Sequence, residues 1–561
     1  MAVVLPGRAG RRTVAVFTAI GVLGLLFLPA EHTLFDTVSS LAKRGSYTKG
    51  NGTFLSFDGS VQMDYSKHFG RHQLFNTTGI SSAQTSSDAY SYYVEGFPNQ
   101  RLDEIVFGNA YPQNTKPSGT NNITRRVSAF SNFNYNFDNR YQADLSISTD
   151  GSSQFGSDKR FGTFWSAGAG WNLHREKFWN QNKFINELRL RASVGTTGDN
   201  KFQPYMGTTT YSYYTDQTYR AMAAAYLMGY GNKDIQWQET LKKNVGLNLA
   251  AFNNRLNLKF DVYREITNNL IIDISLPPST AFSTYKDNLG KLQNDGYEFA
   301  LNAFPVRNDK KGISWNVFVN GSHNKDKILQ ISNALKKQNQ LNDLTTNNKQ
   351  TQPQYRYQEG ESVNNIWAVR SLGIDPSNGR ELYVKRDGTI TYNWDVSDKV
   401  IVGNIVPELQ GGFGTSFNWK GIVLGFYCNY QLGGDIYNQT LQNRVEDADL
   451  TYNVDRRVLL GRWKKPGDIT TYKGLVDENG SIVSTKTMVT SRFVQTNSYV
   501  NAESISLSYI LSAKLNKQLG LNNTRIGFTA NDIKRWEEVQ TERGLNYPFA
   551  RNFTVNISTT F

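Results

Sequence analysis

The chain is 561 residues long, with 39% hydrophobic residues, 13% aromatic residues and a formal net charge of +13. Its mean hydropathy is negative, which excludes a bundle of apolar membrane helices. It does not exclude a β-barrel wall, in which lipid-facing and lumen-facing residues alternate and average out. Lys and Arg are scattered, often at alternate positions such as Arg189 and Arg191, so the charge reads as lumen, loop and surface charge and not as a nucleic-acid footprint.

In chain order, Arg8, Arg11 and Arg12 precede an uncharged run, Thr13–Ala30. A basic flank before an apolar stretch reads as an export signal, with a single membrane anchor or a wrongly joined gene start as alternatives. A cut after Ala30 would put Leu28 where a small residue belongs. Residues 1–44 are therefore set apart as a signal-like or misjoined segment, and 45–561 as the barrel portion.

After Gly45 the sequence becomes a series of two-residue alternations, the period at which strand side chains switch faces. Leu55, Phe57, Val61, Met63 and Tyr65 form the first. Ala129, Phe133, Tyr135 and Phe137 form another, which turns at Asp138-Asn139 into Tyr141, Ala143, Leu145 and Ile147. Trp165–Leu173 and Leu188–Val194 follow, then Leu241–Ala251, turning at Asn253-Asn254 into Leu256–Val262. Tyr297–Ala303, Ile313–Val319, Leu409–Trp419, Ile422–Leu432, Ile505–Leu511 and Ile526–Ala530 complete the series before the tail. Cys428 sits in one of these runs as a small apolar wall residue, and as the only cysteine it excludes a disulfide framework and any CxxC metal site. In the tail, Phe553, Val555, Ile557, Thr559 and Phe561 alternate with Asn552, Thr554, Asn556, Ser558 and Thr560. A greasy strand running to the last residue is a poor edge in water, whereas a barrel wall in lipid requires that pattern.

The strands number roughly fifteen or sixteen, most of them at least about nine residues long, the length a tilted membrane strand needs. Connections are asymmetric. Asp138-Asn139, Asn253-Asn254 and Lys420-Gly421 are tight turns, whereas Gln84–Asn121, Gly195–Glu239, Asp326–Asn364 and Gly433–Ser498 are long loops. Short turns at one rim and long loops at the other belong to outer-membrane barrels; a sandwich or propeller would be spaced more evenly. Only Ile328–Leu335 carries a helical pattern. The fold class is all-β, an antiparallel transmembrane β-barrel.

No constellation argues for catalysis, a resident metal or a cofactor. His68 and His72, in KHFGRH, read as a polar turn between strands. Gly411, Gly412 and Gly414 lie within a strand, outside the strand-to-helix context of a phosphate loop, and suit close packing of the wall. Asp103 with Glu104, and Glu537 with Glu538, are adjacent and do not converge as an acid–base pair. Tyr211, Tyr213, Tyr214 and Tyr219 in a long loop could stack on sugar rings or pack among themselves.

From the middle onward the segments resemble the SusC/RagA family of TonB-linked outer-membrane transporters. The resemblance rests on YNFDNRYQADLSISTDGSSQFGSDKRFG at Tyr135–Gly162 and INELRLRASVGTTGDN at Ile185–Asn200, and on WQETLKKNVGLNLAAFNNRLNLKFDVY at Trp237–Tyr263. It continues in NLGKLQNDGYEFALNA at Asn288–Ala303, GIDPSNGRELYVKRDGT at Gly373–Thr389 and VGNIVPELQGGFGTSFNWKG at Val402–Gly421. It closes with YQLGGDIYN at Tyr430–Asn438 and YPFARNFTVNISTTF, with Tyr547, Pro548 and Arg551 ahead of the last strand. It implies a cell outer-membrane barrel of about 22 strands filled by a plug, importing oligosaccharides or peptides with a SusD-like surface lipoprotein as lid and TonB as the source of pull.

Nothing before Gly45 resembles a plug or a TonB box, so the expectation is an incomplete barrel, with TonB engaged only if a plug is supplied. The substrate-binding residues stay unassigned. Phe553, Val555, Ile557 and Phe561 are expected to form the signal read by the barrel-assembly machinery. The rival readings are a passive porin-like or adhesin-like barrel and a secreted carbohydrate-binding or carbohydrate-cleaving β protein; the leading reading is not an enzyme.

Overall fold

The structure is a computed structural model. It describes residues 2–6, 11–28, 45–98, 101–102, 104–109, 111, 117–179, 184–199, 205, 207–219, 222–229, 231–275, 284–333, 335–337, 339–340, 351–475, 486–539 and 550–560. Side chains are described from Gly45 onward, except at a few strand positions.

In chain order the strands are β1 (Ala2–Pro6), β2 (Arg11–Leu28), β3 (Ser46–Phe69), β4 (His72–Glu95), β5 (Ser118–Phe137), β6 (Tyr141–Ser152), β7 (Phe161–Asn172) and β8 (Ile185–Asp199). A loop hairpin, β9 (Thr210–Tyr219) and β10 (Met222–Gly229), precedes β11 (Gln238–Ala251), β12 (Leu256–Ser275), β13 (Thr284–Asn308) and β14 (Ile313–Ile331). A small loop sheet follows: β15 (Asn365–Ile374), β16 (Glu381–Val384), β17 (Ile390–Thr391) and β18 (Lys399–Asn404). Then come β19 (Leu409–Trp419), β20 (Ile422–Leu432), the short loop pair β21 (Asp435–Tyr437) and β22 (Val494–Thr496), and finally β23 (Tyr499–Ile510), β24 (Asn522–Glu537) and β25 (Phe553–Thr560).

Seventeen of these form one sheet, each strand paired antiparallel with the next wall strand along the chain. Among the described residues no ladder joins β25 back to β1 or β2, so hydrogen bonds do not close the sheet. The expectation of an all-β sheet with an incomplete wall is met. No helix among the described residues is long and apolar enough to cross a membrane. The backbone of the stretch read as an export signal lies in this sheet as far as Leu28, because β2 pairs with β3 from Arg11 opposite Met63 to Leu28 opposite Ser46.

The tight turns follow from residues that accept positive φ. Lys420 (φ 49°) and Gly421 (φ 89°) form a two-residue β19–β20 turn with both centres left-handed, the hairpin geometry that matches strand twist. A side chain at Gly421 would also meet the Ile510 carbonyl oxygen at 2.6 Å. Asp138 and Asn139 turn β5 into β6 in the left-handed region too, where short polar side chains are best tolerated. These turns share one rim, and the long connections share the other.

Three sequence expectations shift. The loop read as starting at Gln84 begins after Glu95, because β4 continues through a Ser/Thr-rich stretch. The helical pattern at Ile328–Leu335 is strand as far as Ile331 and only then a helical turn; Ile328, Ile331 and Leu335 pack together against Leu292, Tyr357 and Val363. The long loops also carry structure of their own.

Candidate functional site

Register shows which face each wall residue takes. Leu190 lies opposite Leu247, Leu247 opposite Phe260, Phe260 opposite Phe299, and Phe299 opposite Gly321. Farther round, Phe413 faces Cys428, Phe426 faces Ile505, and Phe528 faces Val555. The apolar partners thus line up on one face from strand to strand. Many stay open, among them Ile80, Leu145, Val245 and Val555. Taking one such side chain out of water is worth about 1.5–3 kcal/mol, so this face belongs in hydrocarbon. At the turn rim it ends in a run of rings, in which Phe69 faces His72, His72 faces Phe137, Phe137 faces Tyr141, and Tyr141 faces Trp171. Trp419 and Tyr509, on either side of Ile422, continue it. Such a girdle marks a membrane–water interface.

The opposite face is polar and self-bonded. Arg191 Nη2 donates to Asp261 Oδ1 at 3.0 Å and to Asn248 Oδ1 at 3.1 Å, and Lys259 Nζ lies 3.6 Å from Asp261. The Tyr263 hydroxyl donates to Asn324 (3.3 Å), and Asn501 donates to Glu503 (3.2 Å). A cleft of about 610 Å³ opens on this face, lined by Lys259, Asp261, Glu298, Asn320, Tyr427 and Asn429. Both charges and neutral amides are present, which suits a solute bound by many hydrogen bonds. The glycines of β19 allow the wall to pack tightly here: a Cβ at Gly411 would lie 2.1 Å from the Asn320 carbonyl oxygen.

At the loop rim, the two longest connections fold into one platform. β15 pairs with β16 and β18, and Val369 bridges Thr490 from the other connection. Trp394 Nε1 donates to the Val489 carbonyl (3.0 Å), and Trp463 Nε1 donates to that of Pro376 (2.9 Å). The core holds a buried ion cluster. Arg492 Nη2 reaches Glu381 Oε2 at 2.9 Å and Glu446 Oε1 at 2.8 Å. Burial works against the Arg492 charge, but the two carboxylates outweigh it and hold its pKa above the usual value. Burial pushes the neighbouring Tyr383 hydroxyl well up, so it stays protonated. Arg462, also buried, donates to the carbonyls of Val458, Lys473, Val445 and Glu446. The two carboxylates therefore converge, yet onto an arginine that ties the loops together.

The GIDPSNGRELYVKRDGT segment supplies the platform's turns. Asp375 accepts from Ser377 N (2.8 Å) and from the Tyr392 hydroxyl, and Asp387 accepts from Thr389 N (2.9 Å). These bonds hold both carboxyls below the usual range: for Asp375 chiefly the Tyr392 hydroxyl, for Asp387 chiefly the Thr389 amide.

The residues singled out from sequence fall as follows. Phe553, Val555 and Ile557 lie along β25 at 67–69% exposure; Phe561 is outside the described residues. His68 is the last residue but one of β3 and His72 begins β4, where its Nδ1 bonds the Tyr135 hydroxyl at 2.7 Å and its ring stacks on Phe69. Among the described residues no group of His, Cys, Asp or Glu could hold a metal ion. Tyr211 is exposed on β9, and the side chains of Tyr213, Tyr214 and Tyr219 are outside the described set. Asp103 is also outside it, and Glu537 pairs with Arg535 at 2.9 Å. The platform's ion cluster was invisible in the sequence, since Arg492 and Glu381 are 111 residues apart.

The family described as TonB dependent receptor-like, beta-barrel matches residues 24–457. The chain belongs to that family. It is of the SusC/RagA type, whose place is the outer membrane. TonB-dependent receptor P39 of Formosa agariphila is 26% identical over 531 residues, covering 86% of this chain and 49% of that protein. TonB-dependent receptor SusC of Bacteroides thetaiotaomicron is 26% identical over 333 residues, covering 57% of this chain and 32% of SusC. The chain spans about half the length of the TonB-dependent receptors from Formosa that it matches. Among solved structures, the RagAB peptide transporter superposes with a TM-score of 0.81 at 21% identity, covering 96% of this chain and 58% of that one. That likeness is one of fold.

Proposed function

We propose that this chain forms barrel wall and outer loops of an importer that carries oligosaccharides or peptides across the outer membrane. The observation that carries the reading is the pairing of a largely apolar outer face with a polar inner face of amides and mixed charges. Such an inner surface exchanges hydrogen bonds with a sugar chain or peptide backbone without favouring one sign of charge. The family and the fold of the RagAB peptide transporter support the same reading.

The partners follow as part of the proposal. A SusD-like surface lipoprotein would sit at the loop rim, where the platform offers a structured surface. The TonB complex would act through a plug, if one is supplied. The assembly machinery would read the last strand through Phe553, Val555, Ile557 and Phe561; deleting Phe561 should lower the outer-membrane level of the protein, and an unchanged level would contradict that assignment.

Uptake of a fluorescent maltoheptaose and a fluorescent peptide by cells with and without the gene tests the function. Import of one of them should need the gene and stop when a protonophore removes the energy for TonB. Uptake that ignores the protonophore, together with conductance steps in a planar bilayer, would support the passive porin-like alternative instead.

A further inference from the structure

A second, larger hollow lies on the lipid side of the wall, away from the lumen. It measures about 1010 Å³, and its floor is made by Ala167, Ala169, Ala192, Val245 and Val262. Register explains the hollow. Ala169 is opposite Ala192, Ala192 opposite Val245, and Val245 opposite Val262, so small and β-branched side chains meet where the next row toward the turns carries Leu and Phe. Tyr297, stacked on His323 with ring centres 5.2 Å apart, forms one bank.

One row nearer the loop rim, the mouth is charged. Lys243, Arg264, Asp295 and Lys325 are opposite one another on four consecutive strands, and all four line the hollow. Arg264 and Asp295 satisfy each other through two hydrogen bonds, at 2.6 and 3.2 Å. Lys243 and Lys325 flank this neutral pair, both exposed, and neither has a carboxylate within 4.0 Å among the described residues. Two uncompensated cations thus stand above an apolar trough, on the side of the wall that faces lipid.

We infer that this hollow binds one membrane lipid with a phosphorylated headgroup, its acyl chain in the trough and its phosphate held by Lys243 and Lys325. A lone lysine at this height would only snorkel to the headgroup level. Here both lysines line one cavity that can take a chain, so headgroup and tail are recognised together. The inference rests on the orientation of the wall in the membrane and is independent of what the lumen carries.

The test uses the protein extracted from outer membranes in mild detergent, equilibrated with mixed phosphatidylcholine and phosphatidylglycerol, and read by native mass spectrometry. The wild type should retain one phosphatidylglycerol. The double variant K243Q/K325Q should lose about twenty-five-fold in that retention, at about fivefold per cation. A192W, which fills the trough, should release both lipids. Heat-dependent gel migration should be unchanged in all of them, which separates lost binding from lost folding. Retention unchanged in both variants would overturn the site as ordinary annular lipid. Displacement of the lipid by glycerol phosphate alone would reduce it to a bare anion site. An A192W effect confined to the dimer mass would make it a contact between copies of the chain.

Discussion

On the wall, Val245 and Ile557 stand 62% and 69% exposed, whereas in the platform Val445, Val458 and Val489 are fully buried. Polar groups follow the opposite course: the wall's Arg191, Lys259 and Asp261 face an open lumen, and the platform encloses Arg492 between Glu381 and Glu446. One chain therefore folds for two solvents. The wall leaves its apolar surface for lipid to cover and obtains its order from backbone ladders. The platform stands in water and must build a conventional core, with its charges paired inside.

The strongest way to break this contrast is Arg492→Ala. It leaves two carboxylates buried and unpaired, a loss of about 3–5 kcal/mol. Limited proteolysis should cut the platform between residues 365 and 492 while the wall keeps its heat-dependent gel migration; loss of both together would show that the two regions are not separable. Next comes Leu247→Arg on the lipid face, expected to cost about 2–4 kcal/mol near mid-membrane. Its inward neighbour Asn244→Arg should change stability by no more than about 0.5 kcal/mol. Equal losses in a urea titration of the reconstituted protein would erase the difference between the faces. Gly411→Val should destabilise the wall by about 1–3 kcal/mol through overpacking against the Asn320 carbonyl, seen as a lower temperature for the gel shift.

The smallest effect is acid sensitivity confined to the platform. Asp455 is held at about 2, mainly by its hydrogen bonds to Arg457, and Asp375 is also depressed. A carboxyl whose pKa is lower folded than unfolded contributes stability above its unfolded value, near 3.8. That contribution is lost as pH falls toward the folded value. Protease sensitivity of the platform should therefore rise between about pH 4 and pH 2, and Asp455→Asn should flatten the rise. An unchanged slope in that variant would remove Asp455 from the explanation.

The wall was legible in the sequence because a period of two reports a face directly, as in Leu256, Leu258, Phe260 and Val262. Where the contrast fades the reading fails: Thr77–Ser91 of β4 is nearly all small and polar, so strand and loop look alike. The platform was illegible for another reason. Trp367, Val396, Val458 and Val489 come from distant segments and are all buried without any common period. The charged mouth of the lipid-side hollow needed the register, since Lys243, Arg264, Asp295 and Lys325 are neighbours only across strands.

The claim that one face meets lipid and the other water is tested most directly by cysteine labelling in intact membranes. In a Cys428→Ala background, single cysteines at Asn244, Val245, Leu247 and Asn248 are exposed to a water-soluble maleimide. Labelling at 244 and 248 but not at 245 and 247 is the expected result; equal labelling at all four, or the reverse pattern, would contradict it.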